Sequence, residues 1–193
     1  MASPPSPDFA ALLAELTAEL AQRKVPFMVI GGQAVLLHGR PRLTDDIDLT
    51  LGADPGRIGT VLEACTSLGL QPLPEHPDRF VQQTFVLPAR HTESRIRVDF
   101  IFSTTPYERQ AIDRALRVTL AGVPVPFATA EDLLVHKLFA GRARDLEDAA
   151  GVVRRKGEEL DWEYVRRWVA EFAGIPGQEG LAERLRRLEG ETK

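Results

Sequence analysis

The chain has 193 residues, 44% hydrophobic and 27% charged, with a formal net charge of -4 and a pI of about 5.6. That composition suits one globular domain with a full core, or a core with a helical appendage, and excludes a disordered or coiled-coil chain. The acidic balance argues against coating nucleic acid by bulk electrostatics. Locally, Arg90, His91, Arg95 and Arg97 form a basic cluster, while Arg154-Arg155-Lys156 reads as a solvated face. The single cysteine, Cys65, has no partner for a disulfide or a zinc cage and reads as a core residue. No apolar stretch approaches the roughly 20 residues that cross a bilayer, and the start lacks the basic and apolar regions of a signal peptide. The expected setting is cytoplasmic, with no membrane.

Residues 1–7, rich in proline, read as a disordered tail. Asp8 is a capping residue for a helix to about Lys24, because Phe9, Leu12, Leu13, Leu16 and Leu20 recur at helical spacing. Phe27–Ile30 is a short apolar run stopped by Gly31-Gly32, which predicts a buried strand turning into a short helix over Gln33–His38. Asp46–Leu51 alternates as a half-buried strand should, with Ile47, Leu49 and Leu51 facing the core and Asp46, Asp48 and Thr50 facing away. A helix over Pro55–Leu68 and a proline-containing loop over Gln71–Asp78 come next. Phe80–Leu87 and Arg95–Phe102 are predicted strands, paired as a hairpin across Pro88–Ser94. In the second of these, Arg95, Arg97 and Asp99 share the polar face.

Pro106–Arg114 is a predicted helix, and Leu116–Phe127 holds two short strands broken at Gly122. Thr129-Ala130-Glu131-Asp132 has the form of a capping box before an apolar stripe of Leu133, Leu134, Leu138 and Phe139. Helices are further expected over about Ala143–Lys156, Asp161–Phe172 and Glu179–Leu188. The predicted fold class is α+β: a small mixed β-sheet core flanked by helices over residues 8–128, with a C-terminal helical subdomain over 129–193.

Two carboxylates one residue apart on a strand project to the same side, about 6 to 7 Å apart at their Cα atoms. Such a pair can grip hard divalent cations, and two such ions stabilise both the attacking and the leaving oxygen of an in-line displacement at phosphorus. If the strand bearing Asp99 lies beside the one bearing Asp46 and Asp48, all three acids converge, and Asp99 can take the proton of an incoming hydroxyl. A Gly-Gly pair lets backbone approach a triphosphate at the start of a helix. Alone, a glycine pair is often a simple turn and an Asp-x-Asp strand a solvent face. Their conjunction, in this order along the chain, is more specific.

The stretch Gly31–Gly39, Gly-Gly-Gln-Ala-Val-Leu-Leu-His-Gly, followed by Arg-Leu-Thr-Asp-Asp-Ile-Asp-Leu over Arg42–Leu49, resembles the signature of the polymerase-beta-like nucleotidyltransferase superfamily. It is most similar to the minimal bacterial branch of AbiEii and MenT-type toxins. Ala130–Asp148 is similar to that branch's downstream Lys-Leu and Arg-Asp-x-x-Asp helices, so the resemblance spans about residues 25 to 155. It implies a nucleotidyltransferase core and an enzyme working through two Mg2+ ions, with Mn2+ as an alternative. Asp46, Asp48 and Asp99 would be metal ligands and catalytic residues. Gly31, Gly32, Arg42, Thr44, Lys137, Arg144, Asp145 and Asp148 would be nucleotide-binding, with Asp145 and Asp148 steadying Lys137 or Arg144.

The implied reaction moves a nucleoside monophosphate from an NTP donor to a hydroxyl acceptor: RNA such as tRNA, a protein, or a small molecule. A toxin role implies an antitoxin partner. The alternative reading is a non-catalytic nucleotide-binding or partner-binding protein. One departure stands out: many superfamily members carry Gly-Ser after the first strand, where this chain has Gly31-Gly32-Gln33.

Overall fold

The computed structural model describes residues 7–190. Of the tail expected over residues 1–7, residues 1–6 lie outside what is described, as does the capping side chain of Asp8, while Pro7 already belongs to the first helix. Among the described residues, nine α-helices accompany one seven-stranded sheet of order β3-β4-β5-β2-β1-β7-β6. The chain divides into two compact units. The first comprises residues up to Gln33 together with Leu43–Phe127, and the second comprises Ala34–Arg42 together with the residues from Ala128 onward.

In the first unit, helix α1 (Pro7–Gln22) buries Leu12, Leu13, Leu16 and Leu20, the stripe its sequence spacing predicts. Strand β1 (Phe27–Ile30) is buried throughout and pairs antiparallel with β2 (Asp46–Gly52). On its other side β2 pairs parallel with β5 (Arg97–Ser103), in register from Asp46↔Arg97 to Gly52↔Ser103. Ile47, Leu49, Leu51, Val98, Phe100 and Phe102 are all buried, so the alternation in both strands turns one face to a shared core. Apolar residues at every second position therefore force the acids onto the opposite face together.

Helix α2 (Gly31–His38) starts directly at Gly31 rather than after a glycine turn, and the chain enters it through the positive φ of 62° at Gly31. Helix α3 (Ile58–Ser67) follows a 3-10 turn, and Cys65 within it is buried, with its thiol pushed up to about 12 by desolvation. Helix α5 (Pro106–Arg114) and the hairpin of β6 (Leu116–Leu120) and β7 (Val123–Phe127) occupy their expected places.

The segment between α3 and β5 departs from expectation. Leu70–Pro72 is a short strand, β3; Pro77–Thr84, expected as loop and strand, is helix α4; and the hairpin partner of β5 is β4 (Val86–His91), displaced toward the C-terminus from Phe80–Leu87. The physical reason lies in Pro77 and Asp78, a first-position proline and a first-turn acid, which start a helix where proline had suggested loop. Strand β4 continues through Pro88 because β3 has already ended at its level, and Pro88 needs only its carbonyl, which accepts from Leu73 N–H at 2.9 Å.

The second unit carries α6 (Ala130–Ala140), α7 (Ala143–Lys156), α8 (Trp162–Phe172) and α9 (Leu181–Gly190). The Thr129 hydroxyl accepts from Asp132 N–H at 3.1 Å and donates to Asp132 Oδ2 at 2.7 Å, fixing the start of α6. The fully buried Asp132 also accepts from the Tyr164 hydroxyl at 2.6 Å, tying α6 to α8. Gly141 ends α6 in the left-handed region.

Candidate active site

The parallel register of β2 and β5 sets Asp48 directly beside Asp99, and strand alternation puts Asp46 on the same face. All three acids are half-buried. Asp46 Oδ1 accepts from the Thr44 hydroxyl at 2.8 Å, and Asp99 Oδ1 accepts from Arg97 Nε at 2.8 Å. The hydrogen bond from Arg97 to Asp99 raises the guanidinium pKa above its ordinary value, with further support from the charges of Asp99, Asp46 and Asp48. Arg97 thus faces the whole acidic trio. Asp45 precedes β2 and is exposed.

Both glycines are pressed against this cluster. A Cβ on Gly31 would lie 1.8 Å from Asp48 Oδ2, and one on Gly32 would lie 2.3 Å from Thr44 Oγ1. The room left by the missing side chains is therefore filled by Asp48 and Thr44, and the glycines serve the acids before they serve any ligand. Gln33 donates from Nε2 to the Asp46 carbonyl at 3.4 Å and braces the start of β2.

The donor set suits a hard divalent cation: three carboxylates, adjacent in register, on one sheet face. As they stand, however, they are not gathered around a point. Among the described residues no group of three or more His, Cys, Asp or Glu is placed to hold a metal ion. Thr44 holds Asp46 and Arg97 holds Asp99 instead.

The second unit collects another set of the expected residues. Lys137, only 7% exposed, places Nζ 2.8 Å from Asp145 Oδ1 and 2.9 Å from Asp148 Oδ2. Arg42 grips Asp148 with two bonds, Nε to Oδ1 at 2.9 Å and a terminal nitrogen to Oδ2 at 3.1 Å, while Arg142 Nε reaches Asp145 Oδ2 at 2.5 Å. Burial works against ionisation of both acids, but the bonds from Arg142 and Lys137 to Asp145, and from Arg42 and Lys137 to Asp148, outweigh it and hold both carboxyls below their usual range. Arg144 is exposed on α7, and the acids three residues apart hold Lys137 rather than Arg144.

Sequence reasoning did not single out Arg97 or Gln33 as site residues. The signal for Arg97 was present, since it lies two residues before Asp99 and so shares its face; the bond made by Gln33 depends on how α2 meets β2 and leaves no trace in spacing.

Comparison with known proteins settles the family. The description "Nucleotidyl transferase AbiEii toxin, Type IV TA system" matches residues 12–189. The chain belongs to the AbiEii family. It is thereby placed among nucleotidyltransferases, as the Gly-Gly and Asp-x-Asp stretches imply, and its mixed sheet matches solved structures of that fold. The solution structure of the antibiotic-resistance factor ANT(2'')-Ia is 17% identical, with a TM-score of 0.58, over 95% of this chain and 96% of that one. An antigenic nucleotidyltransferase-like protein from Paracoccidioides brasiliensis is 16% identical, with a TM-score of 0.56, over 94% and 93% of the two chains. The lincosamide antibiotic adenylyltransferase LnuA, bound to lincomycin, is 16% identical, with a TM-score of 0.50, over 74% and 94%. At such identity these likenesses concern the fold. No curated protein sequence matches the AbiEii-family chain. Among its described residues no helix is long and apolar enough to cross a membrane.

Proposed function

We propose that this AbiEii-family enzyme transfers a nucleoside monophosphate from an NTP to a hydroxyl acceptor with the help of Mg2+, at Asp46, Asp48 and Asp99. The observation that carries the proposal is the in-register placement of Asp48 beside Asp99, with Asp46 on the same face and Asp48 seated against Gly31. Asp46 and Asp48 would hold divalent cations, which supply charge neutralisation to the phosphates and to the attacking and leaving oxygens. Asp99 accepts the acceptor's hydroxyl proton as the oxygen attacks the α-phosphorus. The bond from that phosphorus to the β-phosphate oxygen breaks, and pyrophosphate leaves. For Asp99 to act, Arg97 must release it.

Gly31 and Gly32 place the donor's phosphates on the β1 side of the acids, with Thr44 orienting Asp46. The residues of the second unit enter differently. Lys137, Asp145, Asp148 and Arg42 form a charge brace, and Arg144, exposed and outside it, is the guanidinium of that set offered to a phosphate. The family description supports a toxin role with an antitoxin partner. A neighbour of this fold has been solved with adenylyl-2''-tobramycin, so small hydroxylated acceptors stand beside RNA and protein as candidates. The pairing of Asp99 with Arg97 favours the second reading, a binding protein that has kept the pocket without the chemistry.

The deciding experiment incubates each α-labelled NTP with Mg2+, total RNA and cell extract, comparing the wild type with Asp46→Ala and Asp48→Ala. Label moves to an acceptor in the wild type and not in the variants. Equal labelling by wild type and variants overturns the assignment of the acids, and nucleotide binding without transfer by the wild type points to the second reading.

A further inference from the structure

The two edges of the sheet are finished differently. Strand β3, at one edge, is three residues long and ends in Pro72, a short edge that lacks a donor. Strand β6, at the other, reads Leu-Arg-Val-Thr-Leu, with no proline or glycine and with Arg117 as its one charge.

The turn between β6 and β7 decides which backbone groups of β6 face outward. Ala121 and Gly122 have φ of 47° and 81°, both positive, as a two-residue type I′ turn requires. Such a turn closes on a hydrogen-bonded pair, here Leu120 with Val123, and bonded pairs recur at every second position, Val118 with Val125 and Leu116 with Phe127. Pro124 and Pro126 fall between them, where β7 owes no N–H to β6. Arg117 and Thr119 therefore turn their N–H and C=O groups away from β7, to the open edge. Both residues are exposed, and among the described residues nothing bonds to those outward groups. Leu116, at the start of the same strand, is 45% exposed.

A two-fold axis brings like edges together antiparallel. Outward groups can then meet with Arg117 opposite Arg117, Arg117 opposite Thr119, or Thr119 opposite Thr119. The first sets like charges face to face, and the last slides Arg117 against the turn residue Ala121. The middle register aligns the whole strand. Arg117 and Thr119 exchange both bonds with Thr119 and Arg117 of the second copy, Leu116 of each is covered by Leu120 of the other, and Val118 meets Val118 on the axis.

We propose that β6 is the surface on which two copies of this chain associate, edge to edge, with Arg117 opposite Thr119. One strand pair is smaller than the roughly 1,200 Å² of a standard interface, so the dimer forms reversibly with concentration. Strand β6 lies three strands from β2, about 14 Å at the usual spacing, so the pairing leaves Asp46, Asp48 and Asp99 untouched.

Analytical ultracentrifugation of the full chain from about 5 to about 500 μM tests this, with melting curves to check that each variant folds. The mass of the wild type should rise with concentration toward twice the 21.4 kDa of one chain. Thr119→Arg sets an arginine opposite each Arg117 and should raise the dissociation constant about tenfold or more. Adding Arg117→Glu to that variant gives each pair opposite charges and should return the constant to within about threefold of wild type. Oxidation of Val118→Cys should give a disulfide-linked dimer, because the axis sets these Cα atoms about 4.5 Å apart, whereas Leu116→Cys, which faces Leu120, should not cross-link. A wild type that stays monomeric at the highest concentration overturns the proposal, whether the edge then takes an extended segment of another protein or none. A dimer that Thr119→Arg leaves intact, or a folded double variant in which the charge swap restores nothing, overturns it as well.

Discussion

Two acidic clusters in this molecule are built on opposite principles. Around Asp46, Asp48 and Asp99, three half-buried carboxylates share one guanidinium, Arg97, which is itself substantially exposed. Around Asp145 and Asp148, two buried carboxylates are met by Lys137, Arg42 and Arg142. A buried charge without compensation is costly, so the second cluster carries its own cations and completes its hydrogen bonds. The first lies half-buried on a sheet face with the exposed Arg97 beside it, an arrangement that suits the cations of the proposed reaction. The second arrangement spends its interactions on stability; the first, in the proposed reading, keeps them for a ligand.

That contrast is sharpest when one charge is removed from each. Lys137→Met leaves Asp145 and Asp148 buried without the ammonium that bridges them, and should destabilise the protein by about 3 to 5 kcal/mol. For a chain of this size the melting temperature should fall by roughly 6 to 20 °C, measured by calorimetry. Asp48→Asn removes one of three mutually repelling carboxylates and should melt at or above the wild type in metal-free buffer, while nucleotidyl transfer is lost. Equal losses of melting temperature in the two variants would erase the distinction between brace and site.

Acid titration separates the clusters next. The carboxyls of Asp145 and Asp148 are held below their ordinary value near 3.8, so the stability they contribute is complete above that value. It drains away as pH falls through their lower folded-state values, because the unfolded chain takes up protons first. Urea midpoints measured from pH 5 down to about 2 should fall in the wild type. The double variant Asp145→Asn and Asp148→Asn should start from a lower midpoint and show a flatter descent. An equally steep descent in that variant would place the acid-sensitive groups elsewhere.

Much of the first cluster was legible because strand alternation is a local rule. Ile47, Leu49 and Leu51 in one strand and Val98, Phe100 and Phe102 in the other are enough to throw Asp46, Asp48 and Asp99 onto a common face once the strands are neighbours. The motif order then pointed to the family. What escaped were features decided by pairing rather than pattern. The register that sets Arg90 beside Arg97 and the extension of β4 through Pro88 go with where β3 ends, while the helix begun by Pro77 carried a local signal, a first-turn proline and acid, that was read as loop. Asp145 and Asp148 were expected to steady Lys137 or Arg144, and they hold Lys137; the grip of Arg42 on Asp148 spans 106 residues of sequence, a separation at which spacing carries no information.

The smallest expected effect concerns a group that belongs to neither cluster. His38 is buried, and its Nε2–H donates to the Ala128 carbonyl at 2.8 Å, which leaves Nδ1 as the unprotonated nitrogen. Desolvation holds its pKa below the ordinary 6.5, against the pull of that carbonyl and of Glu131, and with the neighbouring charges of Lys156 and Arg155 adding to the depression. The unfolded chain therefore binds the proton first, so stability is full above about pH 6.5 and declines as pH falls through that value toward the lower folded one. Midpoints of urea unfolding at pH 8 and pH 5.5 should differ in the wild type by a small margin, in favour of pH 8. In His38→Gln, which keeps a donor but cannot titrate, the two midpoints should draw together. A wild type more stable at pH 5.5 than at pH 8 would mean that the imidazole is charged in the fold, and that the second unit carries an acid partner for it comparable to those that hold Lys137.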